Sequence, residues 1–389
     1  QTCALPIYID TIKDKEQDIV GRIYEYFLKK FAIAEGKGKG EFYTPKSIVN
    51  LIAEMIEPYK GIIYDQCCGS GGMFVQSIKF IESHHGNKKE VSIYGQEYTN
   101  TTYKLAKMNL AIRGISANLG EASANTFFND QHKDLKADFI MANPPFNQKK
   151  WRESNELLDD PRWSGYEVPP KSNANYAWIL NIVSKLSDNG IAGFLLANGA
   201  LSGGGEEYKI RKKLIENNMV EAIIILPQNM FYTTNISVTL WILNKKKKER
   251  VVKYPEGIRK YRDREEEILF MDLRQWGEPF EKKFIQFNYE NHIKPIAKIY
   301  HKWQQKNSGY KNEPEFCYSA SKEEVIKKDY SLVPSKYIEF VNRDENIDFD
   351  ERMKSLQKDF EKLFADEEKS KKEVLEVFKS LGYEINYKL

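Results

Sequence analysis

Cysteine and histidine are scarce in this chain, four and five among 389 residues. No Cys-x-x-Cys pair and no histidine-rich tract occurs, so neither a zinc site nor a disulfide framework is expected. Long apolar runs are missing too, and the longest fall far short of the ~18 residues a membrane span needs. No signal-peptide pattern is evident. A cytoplasmic protein in a reducing compartment is the expectation. Charge of one sign is lacking: 59 Lys and Arg stand against 56 Asp and Glu, leaving +3. Binding to nucleic acid would therefore need locally concentrated positive charge. An initiating Met is also missing, and a processed, trimmed or fragmentary chain is expected. Gln1-Thr2-Cys3-Ala4-Leu5-Pro6-Ile7 has neither helical nor strand period.

What is present is 41% hydrophobic and 30% charged, the composition of a globular protein with room for one large α/β domain and extensions. Ile19, Ile23, Tyr26, Phe27 and Phe31 have helical spacing within residues 14–34. Gly36-Lys37-Gly38-Lys39-Gly40 lacks the Lys-Ser/Thr ending of a phosphate loop and reads as a connector. Pro45 opens a helix through Ile48, Leu51, Ile52 and Met55. From residue 61, strands and helices alternate: Ile62–Tyr64, Met73–Ile81, Val91–Tyr94, Asn100–Ile112, Phe139–Met141, Tyr176–Leu186, Ile191–Leu196, Tyr208–Ile215 and Val220–Leu226. Ile236–Leu243 reads as an edge or hairpin strand. This order predicts a doubly wound, mostly parallel sheet. Lys245-Lys246-Lys247-Lys248 reads as a solvated loop sooner than a phosphate contact. Met353, Leu356, Phe360, Leu363, Val374, Val377 and Leu381 fall on heptad positions, interrupted by Glu367 and Ser370. They predict a long helix that needs a surface to pack on.

Two glycine-rich or proline-rich turns carry the chemistry. Asn143-Pro144-Pro145-Phe146 follows the apolar strand Asp138–Ala142, at the strand end where open α/β sheets bind ligands. The prolines remove two N–H donors. An Asn oxygen and a neighbouring carbonyl are then free to accept both hydrogens of an exocyclic amine, and Phe146 offers a face for a planar ring. Asp65-Gln66-Cys67-Cys68-Gly69-Ser70-Gly71-Gly72 links the first parallel strand to a helix. Its small residues permit close backbone approach, and the helix amides suit an anionic group. The spacing is not Gly-x-Gly-x-x-Gly, which argues against a dinucleotide site. Asp65 suits the ammonium of an amino acid. Glu97, ending the next strand, suits ribose hydroxyls. An amino acid joined to a ribose points to S-adenosylmethionine. No cysteine follows a proline, so thiolate attack on cytosine carbon 5 is excluded.

Together these elements resemble the modification subunit of type I restriction–modification systems, an adenine-N6 DNA methyltransferase family. The resemblance runs from about residue 14 to the end. It adds Gly40-Glu41-Phe42-Tyr43-Thr44-Pro45, with Lys46, as an entry motif that wraps the cofactor. It also includes Asn198-Gly199-Ala200-Leu201, Gly203-Gly204-Gly205-Glu206, Leu226-Pro227 and Phe231-Tyr232. It implies a helical remnant and linker over 1–40, a catalytic domain over 41–340, and a docking helix over 341–389. It implies Asn143, Pro144, Pro145 and Phe146 as catalytic, and Gly69, Ser70, Gly71 and Gly72 as cofactor-binding. Asn125 stands where the family tends to carry an Asp that holds the cofactor's adenine amine, which predicts weaker binding. The family's longer amino-terminal helical region is largely missing, which puts autonomous activity in doubt. The partners implied are duplex DNA, a specificity subunit, a restriction subunit and a second copy of the chain. No metal is required. Asn-Pro-Pro-aromatic turns also serve enzymes that methylate protein glutamine or RNA. A non-catalytic assembly or DNA-binding subunit is the other alternative.

Overall fold

Ile62, Ile63 and Tyr64 form a run that is apolar on both faces, as a strand between two helical layers requires. In the computed structural model they belong to β1 (Gly61–Asp65). The structure describes residues 44–232, 235–281, 283–341 and 349–383. The expected helix within 14–34, the loop at 36–40, Glu41, Phe42 and Tyr43 lie outside those residues. The chain divides into two units, Gln1–Glu339 and Phe340–Leu389.

The first unit opens with α1 (Lys46–Ile56), followed by β1, α2 (Gly72–Ser83), β2 (Val91–Gly95), α3 (Asn100–Ile112), β3 (Ala117–Asn118) and β4 (Ala137–Ala142). Next come α4 (Asn175–Lys185), β5 (Leu186–Ala197), α5 (Gly205–Glu216), β6 (Val220–Ile225) and β7 (Val238–Asn244). A hairpin, β8 (Arg250–Tyr254) and β9 (Gly257–Tyr261), leads to β10 (Glu267–Asp272) and a second hairpin, β11 (Glu278–Phe280) and β12 (Phe284–Gln286). The unit closes with α6 (Lys294–Gln304), β13 (Cys317–Ser321) and α7 (Lys322–Lys327). Nine strands form one sheet in the order β13-β10-β6-β7-β5-β4-β1-β2-β3. β1 pairs in parallel with both β2 and β4. The chain first winds from β1 towards β3, then returns to β4 on β1's other side. The β1/β4 seam is therefore the switch point where such sheets bind ligands.

Alternate side chains of each strand enter two separate cores, as the period of two demands. Ile63, Met141, Leu195, Ile224 and Leu240 face one cluster with α1, α2, α3 and α6. Tyr64, Ile140, Phe194, Ile223 and Trp241 face the other with α4 and α5. This is the predicted doubly wound α/β architecture.

Two sequence expectations fail here. β7 is not an edge strand, although it pairs antiparallel with the strand before it, as the hairpin alternative expects. It lies between β5 and β6, antiparallel to both, and all seven of its residues are buried. Thr239 gave the run an alternating look, but its hydroxyl is satisfied by Asn198 Oδ1 at 2.6 Å. The run is thus a doubly covered strand. The lysine run is not a plain solvated loop. Lys247 is buried, donating to the carbonyls of Val220 and Glu267 at 2.9 Å each. Burial lowers its pKa to about 8, against the pull of Glu221. Lys245 donates to the carbonyl of Leu186. These ammonium groups tie down strand ends.

The second unit contains α8 (Phe349–Ser380), a helix of 32 residues. Its heptad residues Met353, Leu356, Phe360, Leu363, Val374, Val377 and the following Leu381 are all exposed.

Candidate active site

At the end of β1, Asp65 is buried, and its Oδ1 accepts from the Cys67 amide at 3.0 Å. Burial pushes its carboxyl up to about 7, offset by the Cys67 hydrogen bonds and reinforced by Glu97. The loop then turns twice through left-handed backbone, at Gly69 (φ 54) and Gly71 (φ 80), which glycine adopts without steric cost. Gly71 is the cap of α2 and offers it no side-chain hydrogen bond. A Cβ added at Gly72 would meet nothing within 4 Å. Open space therefore faces uncapped helix amides, the polarity an anionic group favours. Ser70 is buried, and its carbonyl accepts from Asn109 Nδ2. Burial also pushes up the thiols of Cys67 and Cys68, which stay protonated.

Glu97 lies two residues beyond β2, close against this loop. Its Oε2 accepts from the Gly69 amide at 3.0 Å and its Oε1 from the Thr99 amide at 2.8 Å. Burial raises its pKa, and those amides oppose the rise. Its carbonyl accepts from Ala124 N, which brings the Asn125 segment alongside. Asn125 Oδ1, expected to face an adenine amine, accepts from the Phe127 amide at 2.9 Å. It closes a side-chain turn.

Across the seam, Asn143 follows β4. Its Nδ2 donates to Thr44 Oγ1 at 3.0 Å. Its Oδ1 is buried and has no partner among the described residues. Pro144 is buried, while Pro145 and Phe146 are half-buried. The Phe146 ring stands edge-on to Phe231, with centroids 5.9 Å apart. Thr44 reaches Asn143 from the position just before Pro45, the cap of α1. Pro45 sits one position before the helix, at its cap (φ −54), where its carbonyl accepts from Ile48 and Val49. Lys46 is exposed at the start of α1. Asp65, Glu97, Asn125, Asn143, Thr44 and the glycine turn thus gather at the strand ends on both sides of the β1/β4 seam.

Two supporting roles escape sequence reasoning. Gln96 donates to the carbonyls of Ala124 and Asn129 and accepts from Gln131 N, latching the 124–131 loop onto β2. Arg162 donates to the carbonyls of Thr126 and Phe127 while paired with Asp160. Its segment also carries Trp151 and Trp163, which pack on Phe127. The density of Trp and Arg in an aperiodic stretch was the available signal.

The family described as N-6 DNA methylase matches residues 15–346. The chain is 44% identical over 370 residues to the methylase subunit of the type I restriction enzyme HindI from Haemophilus influenzae, spanning 95% of this chain and 79% of that protein. It is 36% identical to the methylase subunit of the type I enzyme MjaIX from Methanocaldococcus jannaschii, spanning 94% and 64%. The crystal structure of a type I restriction-modification methyltransferase subunit from Streptococcus thermophilus superposes with a TM-score of 0.70 at 28% identity, over 83% of this chain and 64% of that one. The chain thus spans about four fifths of the first relative's length and just under two thirds of the other two. With a family match across most of its residues and a 44% identical relative that aligns with 95% of them, the chain belongs to the N-6 DNA methylase family, among the methylase subunits of type I restriction enzymes.

Proposed function

We propose that Asn143 and the Pro144 carbonyl hold the amino group of an adenine flipped out of duplex DNA, for methylation at N6 with S-adenosylmethionine as donor. The observation that carries this reading is the Asn143 amide. Its NH2 is satisfied by Thr44, and its oxygen, at the sheet's switch point, is buried and unpartnered among the described residues. Leaving a buried acceptor unmade costs roughly 1–3 kcal/mol, so a donor from a ligand is favoured there. An N6 hydrogen supplies the missing donor.

The donor set fits S-adenosylmethionine. Asp65 takes the ammonium. Gly69, Ser70, Gly71 and Gly72 admit the carboxylate to the uncapped start of α2. Glu97 takes ribose hydroxyls, and Asn125 lies beside the adenine. Thr44, Pro45 and Lys46 border the site, and Glu41, Phe42 and Tyr43 join them on resemblance alone. S-adenosylmethionine brings a methyl group on a positive sulfur. Flipping the target base costs a few kcal/mol, which stacking on Phe146 offsets in part. Acceptance of the N6 hydrogens by Asn143 Oδ1 and Pro144 directs the nitrogen lone pair at the methyl carbon. The N–C bond forms as the C–S bond breaks, its electron pair staying on sulfur, and a proton leaves N6 for water. Positioning and fixed dipoles carry the rate enhancement.

DNA and the other components of a restriction–modification system are the partners. A specificity subunit reads the sequence, with a restriction subunit and a second copy of this chain in the full assembly, in the cytoplasm. The exposed heptad face of α8 is the proposed docking element.

The test is labelled methyl transfer to mixed duplex DNA, for wild type and Asn143→Ala, with and without the specificity subunit. Label on adenine N6 that needs both the partner and Asn143 supports the reading. Full activity of Asn143→Ala, or label on protein or RNA only, overturns it.

A further inference from the structure

We propose that Thr44 is a positioning residue that anchors the Asn143 amide by its nitrogen, with the amide oxygen turned towards the substrate. This rests on the reading of Asn143 as acceptor of the amino hydrogens. The two ends of an Asn amide have nearly the same shape, so packing alone does not choose between them. Hydrogen-bond partners choose: the Thr44 hydroxyl, both donor and acceptor, can hold either end, and the amino group of the substrate accepts only the orientation that turns an oxygen towards it. Here the partner is the Thr44 hydroxyl oxygen, 3.0 Å from Asn143 Nδ2 and 99 residues away in sequence. With the NH2 spent on Thr44, the oxygen is left unpartnered among the described residues. The opposite orientation would present an NH2 to the amino group of adenine, hydrogen against hydrogen.

Thr44 is itself held in place. It directly precedes Pro45, whose ring fixes φ and whose carbonyl accepts the first helical bonds of α1. α1 lies tight on the sheet: a Cβ added at Gly193 of β5 would come within 2.7 Å of Ile52. The hydroxyl is therefore mounted on a rigid element, independent of the β4 turn that carries Asn143. The contact also explains a Thr at this position better than packing does, since Val fills the same space without an acceptor. Bonding by N6 to the Asn143 oxygen polarises the amide and strengthens its bond to Thr44, so the two contacts reinforce one another. This role differs from the cofactor contact that the resemblance alone assigns to Thr44.

The experiment compares Thr44→Val, Thr44→Ser and Asn143→Ala in the assembled enzyme with duplex DNA. Single-turnover methyl transfer and calorimetric affinity for S-adenosylmethionine are read in parallel. Thr44→Val is expected to slow transfer about 10- to 100-fold, with cofactor affinity changed less than about twofold. Thr44→Ser restores transfer to within about threefold, because it keeps the acceptor. Added to Asn143→Ala, Thr44→Val causes no further loss in whatever activity remains. Thr44→Ala replaces valine if melting shows that valine disturbs the fold. Unchanged transfer in Thr44→Val overturns the proposal. So does a loss of cofactor affinity equal to the loss of rate, which would make Thr44 a cofactor contact. Full activity of Asn143→Ala overturns the underlying reading as well, whereas an inactive Asn143→Ala beside a normal Thr44→Val overturns only this one.

Discussion

Asp65 sets a conflict between stability and binding. Its carboxyl titrates at about 7 in the folded chain because it is buried, against about 4 in an unfolded one. Between those values the folded state holds the extra proton, so this group's contribution to stability is full below pH 4 and is lost as pH rises through 7. Asp65→Asn should therefore raise the melting temperature of the cofactor-free protein at pH 8 and change it little at pH 4.5. The same variant should lose most affinity for S-adenosylmethionine. In the wild type, calorimetry should show that affinity rising from pH 5.5 to 7, as the carboxylate forms to meet an ammonium. A flat profile would remove Asp65 from that role. Asn143, Asp65 and Glu97 were legible as candidates because each stands at, or within two residues of, the end of a recognisable strand. The hydrogen bonds that support them were not. Gln96 and Arg162 act on carbonyls of the 124–131 loop, and nothing in a linear sequence says which carbonyls a long polar side chain will reach.

Among the elements, α1 and β5 illustrate how the fold delivers a side chain to the site. Gly193 lets the helix lie close to the strand, and Gly193→Val should cost about 1–3 kcal/mol through overpacking. Urea unfolding would report this as a lower midpoint with an unchanged slope. Because α1 would be pushed off the sheet, transfer activity should fall even where the variant remains folded. The order of strands and helices from β1 to β7, β3 apart, was readable because central strands such as β6 are covered on both sides and helices such as α3 on one. The position of β7 was not. Its run, Val238-Thr239-Leu240-Trp241-Ile242-Leu243, is fully buried, but one threonine made it look half-exposed. Sequence also records nothing of pairing order, so a late strand inserted between two earlier ones looks like an edge. Lys247 was misread for a related reason: charge in a run suggests water, yet two backbone carbonyls and Glu221 hold this ammonium inside.

For the molecule as a whole, near-neutral charge predicts weak DNA binding without partners. At +3 overall, the chain alone should bind duplex DNA no tighter than the roughly 10⁻⁴–10⁻⁶ M typical of non-specific contacts at physiological salt. Fluorescence anisotropy with and without the specificity subunit would test this. Removal of residues 349–383 should abolish assembly with that subunit. The melting transition of the remaining chain should survive, since Gln1–Glu339 forms a unit of its own. Pulldown and calorimetry on the same sample separate the two effects.

β6, β10 and β13 reach the rest of the sheet only through β7, which pairs with β5 on one side and β6 on the other. During synthesis, β5 and β6 are both made before the strand that joins them. Until Asn244 has left the ribosome, two apolar strand edges wait unpaired, a state prone to self-association. A ribosome-stalled chain ending near residue 230 should thus depend on chaperones far more than one ending near residue 330.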